Sequence, residues 1–187
     1  TLIDCGGHCL APGLVDMRAF LGEPGFEHRE TLAGSSAAAA SGGITTIAAR
    51  PDTEPVIDDI ALVEFVKRLA QATAQVRVHP MAAITKGLEG SEMTELGLLA
   101  EAGAVAFCDG ENAVADALVM SRVLTYATNW DLLIVQLPAE PRLAGSGCVN
   151  SGEVATRLGL PGIPAAAEVI MLERDLRLVE ATGGRYH

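Results

Sequence analysis

Hydrophobic and polar positions along the chain follow two alternating patterns. Short apolar or β-branched runs alternate with longer, alanine-rich segments in which apolar residues recur at helical spacing. This alternation is typical of repeated β-α units around a parallel sheet. It predicts strands at 13–16, 45–50, 76–84, 104–108, 132–136 and 184–187, and helices at 60–74, 91–102, 113–128 and 164–182.

The spacing of the predicted strands limits the architecture. Successive strands begin about 30 residues apart, which is the length of one β-α unit. A doubly wound sheet and a (β/α)8 barrel both fit this spacing, because both join parallel strands through helices. A complete barrel needs about 250 residues, so a chain of 187 residues has room for about six units. In both architectures the loops after the strands carry the chemistry, here 17–25, 51–58, 85–90, 109–112 and 137–152.

Composition and charge narrow the class of protein. Hydrophobic residues make up 49% of the chain, which is enough for a substantial core. The 13 basic side chains are scattered among 24 acidic ones, and a net charge of −11 argues against a nucleic-acid partner. No run approaches the roughly 20 apolar residues of a membrane helix. We therefore expect neither nucleic-acid nor membrane partners.

The cysteines and the ends of the chain suggest where the protein acts. Four widely spaced cysteines, which include one C-x3-C pair, are typical of reduced thiols in the cytoplasm: Cys5, Cys9, Cys108 and Cys148. The chain begins at Thr1 with neither an initiator Met nor a basic leader. We expect a cytoplasmic protein of which this chain is a piece, cut at both ends.

Candidate catalytic and metal-binding residues are sparse. None of the histidines shows a metal-binding spacing such as H-x-H or H-E-x-x-H: His8, His28, His79 and His187. Cys108, at the end of a predicted strand, is either a nucleophile or a small buried hydrophobe, and the lack of a neighbouring His favours the second interpretation. No phosphate-binding glycine loop or nucleophile elbow is present. Composition and spacing therefore predict an α/β domain without a recognisable active site.

Eight short segments, in order along nearly the whole chain, match a known family. They are 11–16 (APGLVD), 23–31 (EPGFEHRET), 42–46 (GGITT), 51–58 (PDTEPVID), 83–90 (AITKGLEG), 101–107 (EAGAVAF), 152–154 (GEV) and 157–165 (RLGLPGIPA). In these segments the chain resembles dihydroorotase, a member of the amidohydrolase superfamily. The resemblance implies a TIM-like (β/α)8 barrel of the metal-dependent type, present as an incomplete barrel of about six units at 12–187. Residues 1–11 would then be a lead-in from a small N-terminal β domain.

The resemblance also implies an activity and a partner. The family cyclises carbamoyl aspartate reversibly to dihydroorotate in pyrimidine biosynthesis, uses zinc, and often assembles with aspartate carbamoyltransferase. Arg18 and Phe20 stand where the family has a zinc-binding His-x-His pair, and Gly22 stands where it has an Arg that binds the substrate carboxylate. Asp52 replaces a substrate-binding Asn, and Gln136 stands where a third His is expected.

Two further positions of the resemblance concern possible surviving ligands. Asp109 is the single position at which an acidic metal ligand could survive, although the family's Ser-Asp-Asp-Gly reads Cys-Asp-Gly here. His187 matches the first His of a Tyr-His-x-x-His segment whose second His is the family's ligand. We expect Arg18 either to pair with Asp109 in place of the metal or to extend into solvent.

These replacements predict a protein without zinc and without retained catalytic residues. Phe20 has no lone pair, and Arg18 stays protonated and repels a cation. We expect a catalytically silent dihydroorotase-like subunit that has aspartate carbamoyltransferase as its partner, and a homo-oligomer is compatible with this. Two alternatives stay open: an active amidohydrolase that opens a cyclic amide C–N bond with a rebuilt metal site, and a ligand-sensing module.

Overall fold

The computed structural model describes residue 4 and residues 6–187, and its first half is built on a three-stranded parallel sheet. The strands β1 (Leu14–Ala19), β2 (Ile44–Ala49) and β3 (Arg77–Pro80) lie side by side in chain order. Ile47 of β2 lies opposite Val78 of β3. Parallel neighbours in chain order require a helix between each pair of strands, as the sequence pattern predicts.

The sheet continues past β3 through one residue, Phe107. Phe107 forms parallel bridges with Ala82 on one side and Ile134 on the other. Beyond it, β4 (Leu133–Ile134) pairs in parallel with β7 (Arg185–Tyr186). Six parallel segments thus follow one another in chain order, which confirms the predicted incomplete barrel.

The predicted strand at 104–108 is wrong in extent, because only Phe107 forms regular bridges. The amide of Val105 donates to Pro80, whereas the amide of Cys108 donates to Ala82. Three steps along this segment therefore oppose two steps along its neighbour, which is the geometry of a bulge. The irregularity interrupts the ladder without separating the two halves of the sheet.

Helices cover one face of the sheet. Four of the long ones agree with the predicted helices to within a few residues, and one, α1, was not predicted. The longer helices are α1 (Leu32–Ser41), α2 (Ile60–Thr73), α3 (Leu96–Ala102), α4 (Ala117–Ala127) and α7 (Ala165–Thr182). Short 3-10 turns lie at Lys86–Leu88 and Thr128–Trp130.

Several predicted boundaries need correction. The strand predicted at 13–16 extends to Ala19, and the strand predicted at 76–84 ends at Pro80. The helix predicted from residue 91 begins only at Leu96, because Thr94 pairs back on the strand extension: its hydroxyl donates to Ala83 O at 2.7 Å and its amide to Ile84 O at 3.0 Å. The predicted loop 137–152 contains structure of its own, α5 (Pro141–Ala144) and β5 (Val149–Asn150). After α6 (Glu153–Leu158), β6 (Gly162–Ile163) pairs in parallel with β5.

Apolar side chains separate into two groups on opposite faces of the sheet. The larger group joins strand residues such as Ile47 and Phe107 to helix residues such as Val63 and Met120, so it forms the layer between sheet and helices. The smaller group contains strand-segment residues alone, Met81, Ala106, Cys108 and Val135. It therefore marks the concave, interior side of the barrel.

Several expectations concern the ends and surfaces of the chain. Cys9, Cys108 and Cys148 are free thiols, whereas Cys5 lies outside the described residues. Residues 1–3 of the expected lead-in 1–11 also lie outside them, and the N-terminal β domain stays a prediction. Within the described part of the chain, no helix is both long enough and apolar enough to cross a lipid bilayer.

Candidate functional site

Four charged side chains meet at the carboxyl ends of β1 and β2, and we call Arg18, Arg50, Asp52 and Glu111 the strand-end cluster. Arg50 directly follows β2 and binds Asp52 through two nitrogens: Nε donates to Oδ1 at 2.9 Å, and Nη2 donates to Oδ2. Its third nitrogen, Nη1, donates to the carboxylate of Glu111. Such two-pronged pairing fixes the planes of both groups.

Arg18, near the end of β1, joins the cluster from the other side. Its Nη2 donates to the backbone oxygen of Gly110 at 2.8 Å and lies 3.6 Å from Oε1 of Glu111. Burial disfavours the charge on Arg50, but the hydrogen bonds and charges of Asp52 and Glu111 outweigh it and raise the pKa of that guanidinium. Arg50 is therefore a permanent cation here.

Phe20 packs beside Arg50, and Gly22 follows two residues later in the chain. The guanidinium carbon of Arg50 lies 5.6 Å from the centre of the Phe20 ring, which is within cation–π range. The centres of the Phe20 and Phe26 rings are 5.7 Å apart. Gly22 has a φ of +77°, and a Cβ built there would lie 2.2 Å from the backbone oxygen of Glu30. No side chain fits at position 22 unless the backbone moves.

Asp109 is buried and turned towards the extension of β3. Its Oδ1 accepts hydrogen bonds from the amides of Ile84 and Thr85 at 2.9 and 3.0 Å, and its Oδ2 accepts one from the Thr85 hydroxyl. Burial raises the pKa of Asp109, although these donors oppose the shift. Among the described residues Asp109 forms no ion pair, so the expected Arg18–Asp109 pair is not found.

Gln136 faces the helices and not the interior of the barrel. Its side-chain oxygen accepts a hydrogen bond from the Val114 amide at 2.8 Å, and its Nε2 donates to Asp175 of α7. Because side chains alternate along a strand, the interior side at this level belongs to the neighbouring residues Val135 and Leu137. Gln136 is therefore not placed to hold a metal on the interior side.

Asp175 gathers a second polar group, and we call Gln136, Arg174, Asp175 and Tyr186 the α7 cluster. Arg174 donates to Asp175 Oδ1 through Nε and Nη2 at 2.9 and 2.6 Å, and the Tyr186 hydroxyl donates to Oδ2 at 2.8 Å. Asp175 is completely buried. Burial first, and then the bond to Asp175, raises the pKa of Tyr186, so the phenol stays a donor.

The other sequence candidates lie apart. Burial raises the pKa of the Cys108 thiol to about 11, which favours the interpretation of Cys108 as a small buried hydrophobe. The backbone of His187 pairs with β4, since its amide donates to Ile134 and its oxygen accepts from Gln136. In the described part of the chain, no three His, Cys, Asp or Glu side chains lie close enough to share a metal ion.

The structure thus brings together Arg18, Phe20 and Asp52, and separates Asp109 and Gln136 from them. Sequence reasoning missed Arg50 and Glu111, although both lie where strand-end chemistry is expected, one at the end of a predicted strand and the other in the predicted loop 109–112. It also missed Asp175. A charged residue in the middle of an amphipathic helix is an available signal, but the sequence does not say which face it occupies.

Comparison with known proteins supplies the family. A family model described as dihydro-orotase-like matches residues 7–187. A dihydroorotase from Caldanaerobacter subterraneus subsp. tengcongensis is 45% identical over 186 residues, which is 100% of this chain and 43% of that protein. A dihydroorotase from Syntrophus aciditrophicus is 43% identical over 186 residues, 100% of this chain and 44% of that protein. The chain spans less than half the length of these curated relatives.

Solved structures show the same fold at lower identity. An L-hydantoinase (dihydropyrimidinase) from Arthrobacter aurescens aligns with a TM-score of 0.73 and 20% identity over 94% of this chain and 40% of that one. A dihydroorotase from Saccharomyces cerevisiae, solved in complex with 5-fluoroorotic acid, aligns with a TM-score of 0.65 and 13% identity over 94% of this chain and 47% of that one. At these identities the comparison supports the barrel fold.

Proposed function

This chain belongs to the dihydroorotase-like family of amidohydrolases, and on that premise we propose that it is a catalytically silent dihydroorotase homologue of pyrimidine biosynthesis. Its barrel acts in the cytoplasm as a structural partner of aspartate carbamoyltransferase. One observation carries the proposal: an ion-pair cluster built on Arg18 and Arg50 occupies the strand ends where the family's metal site would lie.

The donor set at these positions does not fit zinc. Protein zinc sites use imidazole, thiolate or carboxylate ligands. Position 18 offers a guanidinium that already donates to Gly110, and position 20 offers a phenyl ring. The carboxylate of Asp109 accepts three hydrogen bonds from the segment at Ile84 and Thr85. A zinc ion in this region would face two guanidinium cations, and the carboxylates of Asp52 and Glu111 are already paired with them.

The position of the substrate-binding Arg supports the same proposal. In this backbone, Gly22 has no room for a Cβ against Glu30, so an Arg at position 22 needs a different course of the chain. Asp52 places a carboxylate, already paired with Arg50, where the family has an amide. The substrate's two carboxylates would therefore lack the expected Arg, and position 52 would offer them a carboxylate paired with Arg50 instead of an amide donor.

Exposed apolar side chains support a structural role for the outer surface. Six of them lie on α6, α7 and the segment between these helices: Val154, Leu158, Leu160, Val169, Ile170 and Leu176. Leu158 is 60% exposed and Val154 is 56% exposed. Exposed apolar side chains are available for protein–protein contact, and we assign this surface to aspartate carbamoyltransferase by analogy with the family.

Metal content and turnover test the catalytic half of the proposal. The purified chain is assayed for zinc by elemental analysis and for hydrolysis of dihydroorotate. The 45%-identical Caldanaerobacter dihydroorotase serves as the matched positive control. We expect substoichiometric zinc and no turnover above background. Stoichiometric zinc together with hydrolysis would overturn the proposal.

Co-purification tests the structural half. The chain is expressed with the aspartate carbamoyltransferase of the same source, and the complex is measured by light scattering, which also reports any homo-oligomer. We expect a stable complex that Leu158→Glu weakens at least tenfold. Leu118→Glu on α4, where the side chain is 58% exposed, serves as the control and leaves the complex intact. Failure to associate, or equal loss with both variants, contradicts the assignment.

The competing function is an active amidohydrolase that opens a cyclic amide C–N bond with a rebuilt metal site. The observation that favours it is the 45% identity to a dihydroorotase over the whole chain. Turnover of dihydroorotate or of a related ring amide, abolished by a chelator, would establish it. The same assays therefore decide between the two functions.

A further inference from the structure

The carboxylate of Glu111 lies on both guanidinium groups of the strand-end cluster. Its Oε1 accepts from Nη1 of Arg50 and lies 3.6 Å from Nη2 of Arg18. The Arg50 side chain is only 11% exposed, whereas that of Glu111 is 61% exposed. A partly buried cation is thus held on its outer side by a carboxylate that water reaches freely, and such a partner exchanges easily.

The charges of the cluster leave one cation for this outer carboxylate. Asp52 already takes two nitrogens of Arg50, so it neutralises one guanidinium. With Glu111 in place the four side chains sum to zero, and without it they sum to plus one. Arg18 also keeps two nitrogens, Nε and Nη1, that bind no other described residue. Donors and charge therefore match one incoming carboxylate.

Space and an apolar wall complete the arrangement. Glu111 also lines a cavity of about 510 Å3 together with Leu88, Gly90 and Ala144, so its side chain has room to swing away. The Phe20 ring lies beside Arg50, 5.6 Å from the guanidinium carbon, and offers a surface for a flat ligand. Neither arginine stands at position 22, where the family's Arg would lie.

We propose that Arg18 and Arg50 form a binding site for small planar carboxylates, and that the side chain of Glu111 occupies it as an internal competitor. The inference rests on the proposed loss of the metal centre, because the guanidiniums occupy the strand ends where the metal would lie. A ligand carboxylate displaces Glu111, pairs with both guanidiniums, and packs its body against Phe20. No bond is made or broken in this binding.

Benzoate is the probe, and neutral benzamide of the same shape is its control. Binding is followed by NMR through the side-chain Nε–H signals of Arg18 and Arg50. An internal ligand lowers apparent affinity by the fraction of time the site is free, so Glu111→Gln should bind benzoate at least about tenfold more tightly than the unchanged protein. Glu92→Gln, which removes the carboxylate of the exposed Lys86–Glu92 ion pair, should leave benzoate affinity unchanged.

Two further results complete the test. Arg18→Gln in the Glu111→Gln background should remove the gain, and benzamide should bind neither form. The proposal is wrong if Glu111→Gln and the unchanged protein bind benzoate equally, or if the shifts lie away from the two arginines. Stoichiometric zinc and turnover, together with equal benzoate affinity in the Glu111→Gln variant and the unchanged protein, would defeat both proposals. Equal benzoate affinity in a protein without zinc would defeat this one alone.

Discussion

The strand-end cluster and the α7 cluster have similar chemistry and opposite surroundings. Each joins arginine, a carboxylate and an aromatic side chain at the carboxyl ends of parallel strands. In the α7 cluster the central Asp175 is completely buried, whereas in the strand-end cluster Glu111 is 61% exposed. The hydrogen bonds of Asp175 are therefore shielded from water, whereas water can replace Glu111 as a partner of the two arginines in the strand-end cluster.

This difference in burial suits the α7 cluster to stabilising the fold and the strand-end cluster to binding a ligand. A buried charge that loses its partners costs several kcal/mol, so the α7 cluster binds α7, β4 and β7 together. An exposed ion pair contributes about 1 kcal/mol or less, so the strand-end cluster can change partners without unfolding the protein. The first cluster is therefore a structural joint, and the second is the place for a ligand.

Removing the carboxylate at the centre of the α7 cluster should have the largest effect. Asp175→Ala leaves Arg174, Gln136 and Tyr186 without their shared partner, and we expect a loss of about 3–5 kcal/mol in the free energy of unfolding. Urea denaturation followed by circular dichroism measures it. Glu173→Ala, an exposed acid on the same helix, should change stability by less than about 0.5 kcal/mol. Equal effects would mean that the α7 cluster is not a joint.

Cys108 lies on the segment between the two clusters, and the reactivity of its thiol measures how far water reaches between them. Its raised pKa of about 11, against 9.0 for an ordinary thiol, lowers the thiolate fraction near pH 8 about 100-fold. In a variant with Ser at positions 5, 9 and 148, Cys108 is the one remaining thiol. A thiol reagent should label it at least 100-fold more slowly than it labels Cys148 in a variant that keeps Cys148 alone. The rate should rise about tenfold per pH unit up to pH 10. A pH-independent, fast reaction would place Cys108 in open solvent.

Tyr186→Phe sharpens the comparison by removing one donor from the α7 cluster. The Tyr186 hydroxyl donates to Asp175 Oδ2 at 2.8 Å, and a hydrogen bond to a charged group contributes about 1.5–3 kcal/mol. We expect a loss near the lower end of this range, since Gln136 and Arg174 still serve Asp175. Tyr126→Phe on α4 is the control, and a similar loss there would show that aromatic packing, not the hydroxyl, is being measured.

The smallest effect on stability should come from the strand-end cluster. Glu111→Gln should change the free energy of unfolding by less than about 1 kcal/mol, because the lost pair is exposed on one side. The same urea titration measures it. A loss as large as that of Asp175→Ala would remove the distinction between the two clusters.

The order and type of the main elements follow from the sequence, but two segments do not. The periodic apolar stripe of α2 predicts it within one residue, 60–74 against Ile60–Thr73. After Leu32, helix α1 consists of alanine, serine and glycine with almost no apolar periodicity, so the pattern does not reveal it. The strand at 104–108 is reduced by a bulge, which depends on the neighbouring strand and not on local propensity.

The candidate site was predictable in location and less so in its contacts. The loops after the strands were expected to carry the polar groups. Asp52 and Glu111 do lie in such loops, whereas Arg18 lies near the end of β1 itself. Gln136 was expected at a ligand position, yet alternation along the strand turns it to α7. One residue of register separates the two outcomes, and sequence alone does not fix that register to one residue.

The backbone pairing of the sheet is thinnest at Phe107, the one residue of its segment that forms regular bridges. Its amide donates to Leu133 O at 3.0 Å and its oxygen accepts from Val135 N at 2.8 Å, while its flanking residues bond to Ala82. The strand-end cluster lies on one side of this thin strand and the α7 cluster on the other. Whether heating melts the two sides together or in succession therefore depends on how well Phe107 and the apolar layer that it shares with the helices transmit cooperativity.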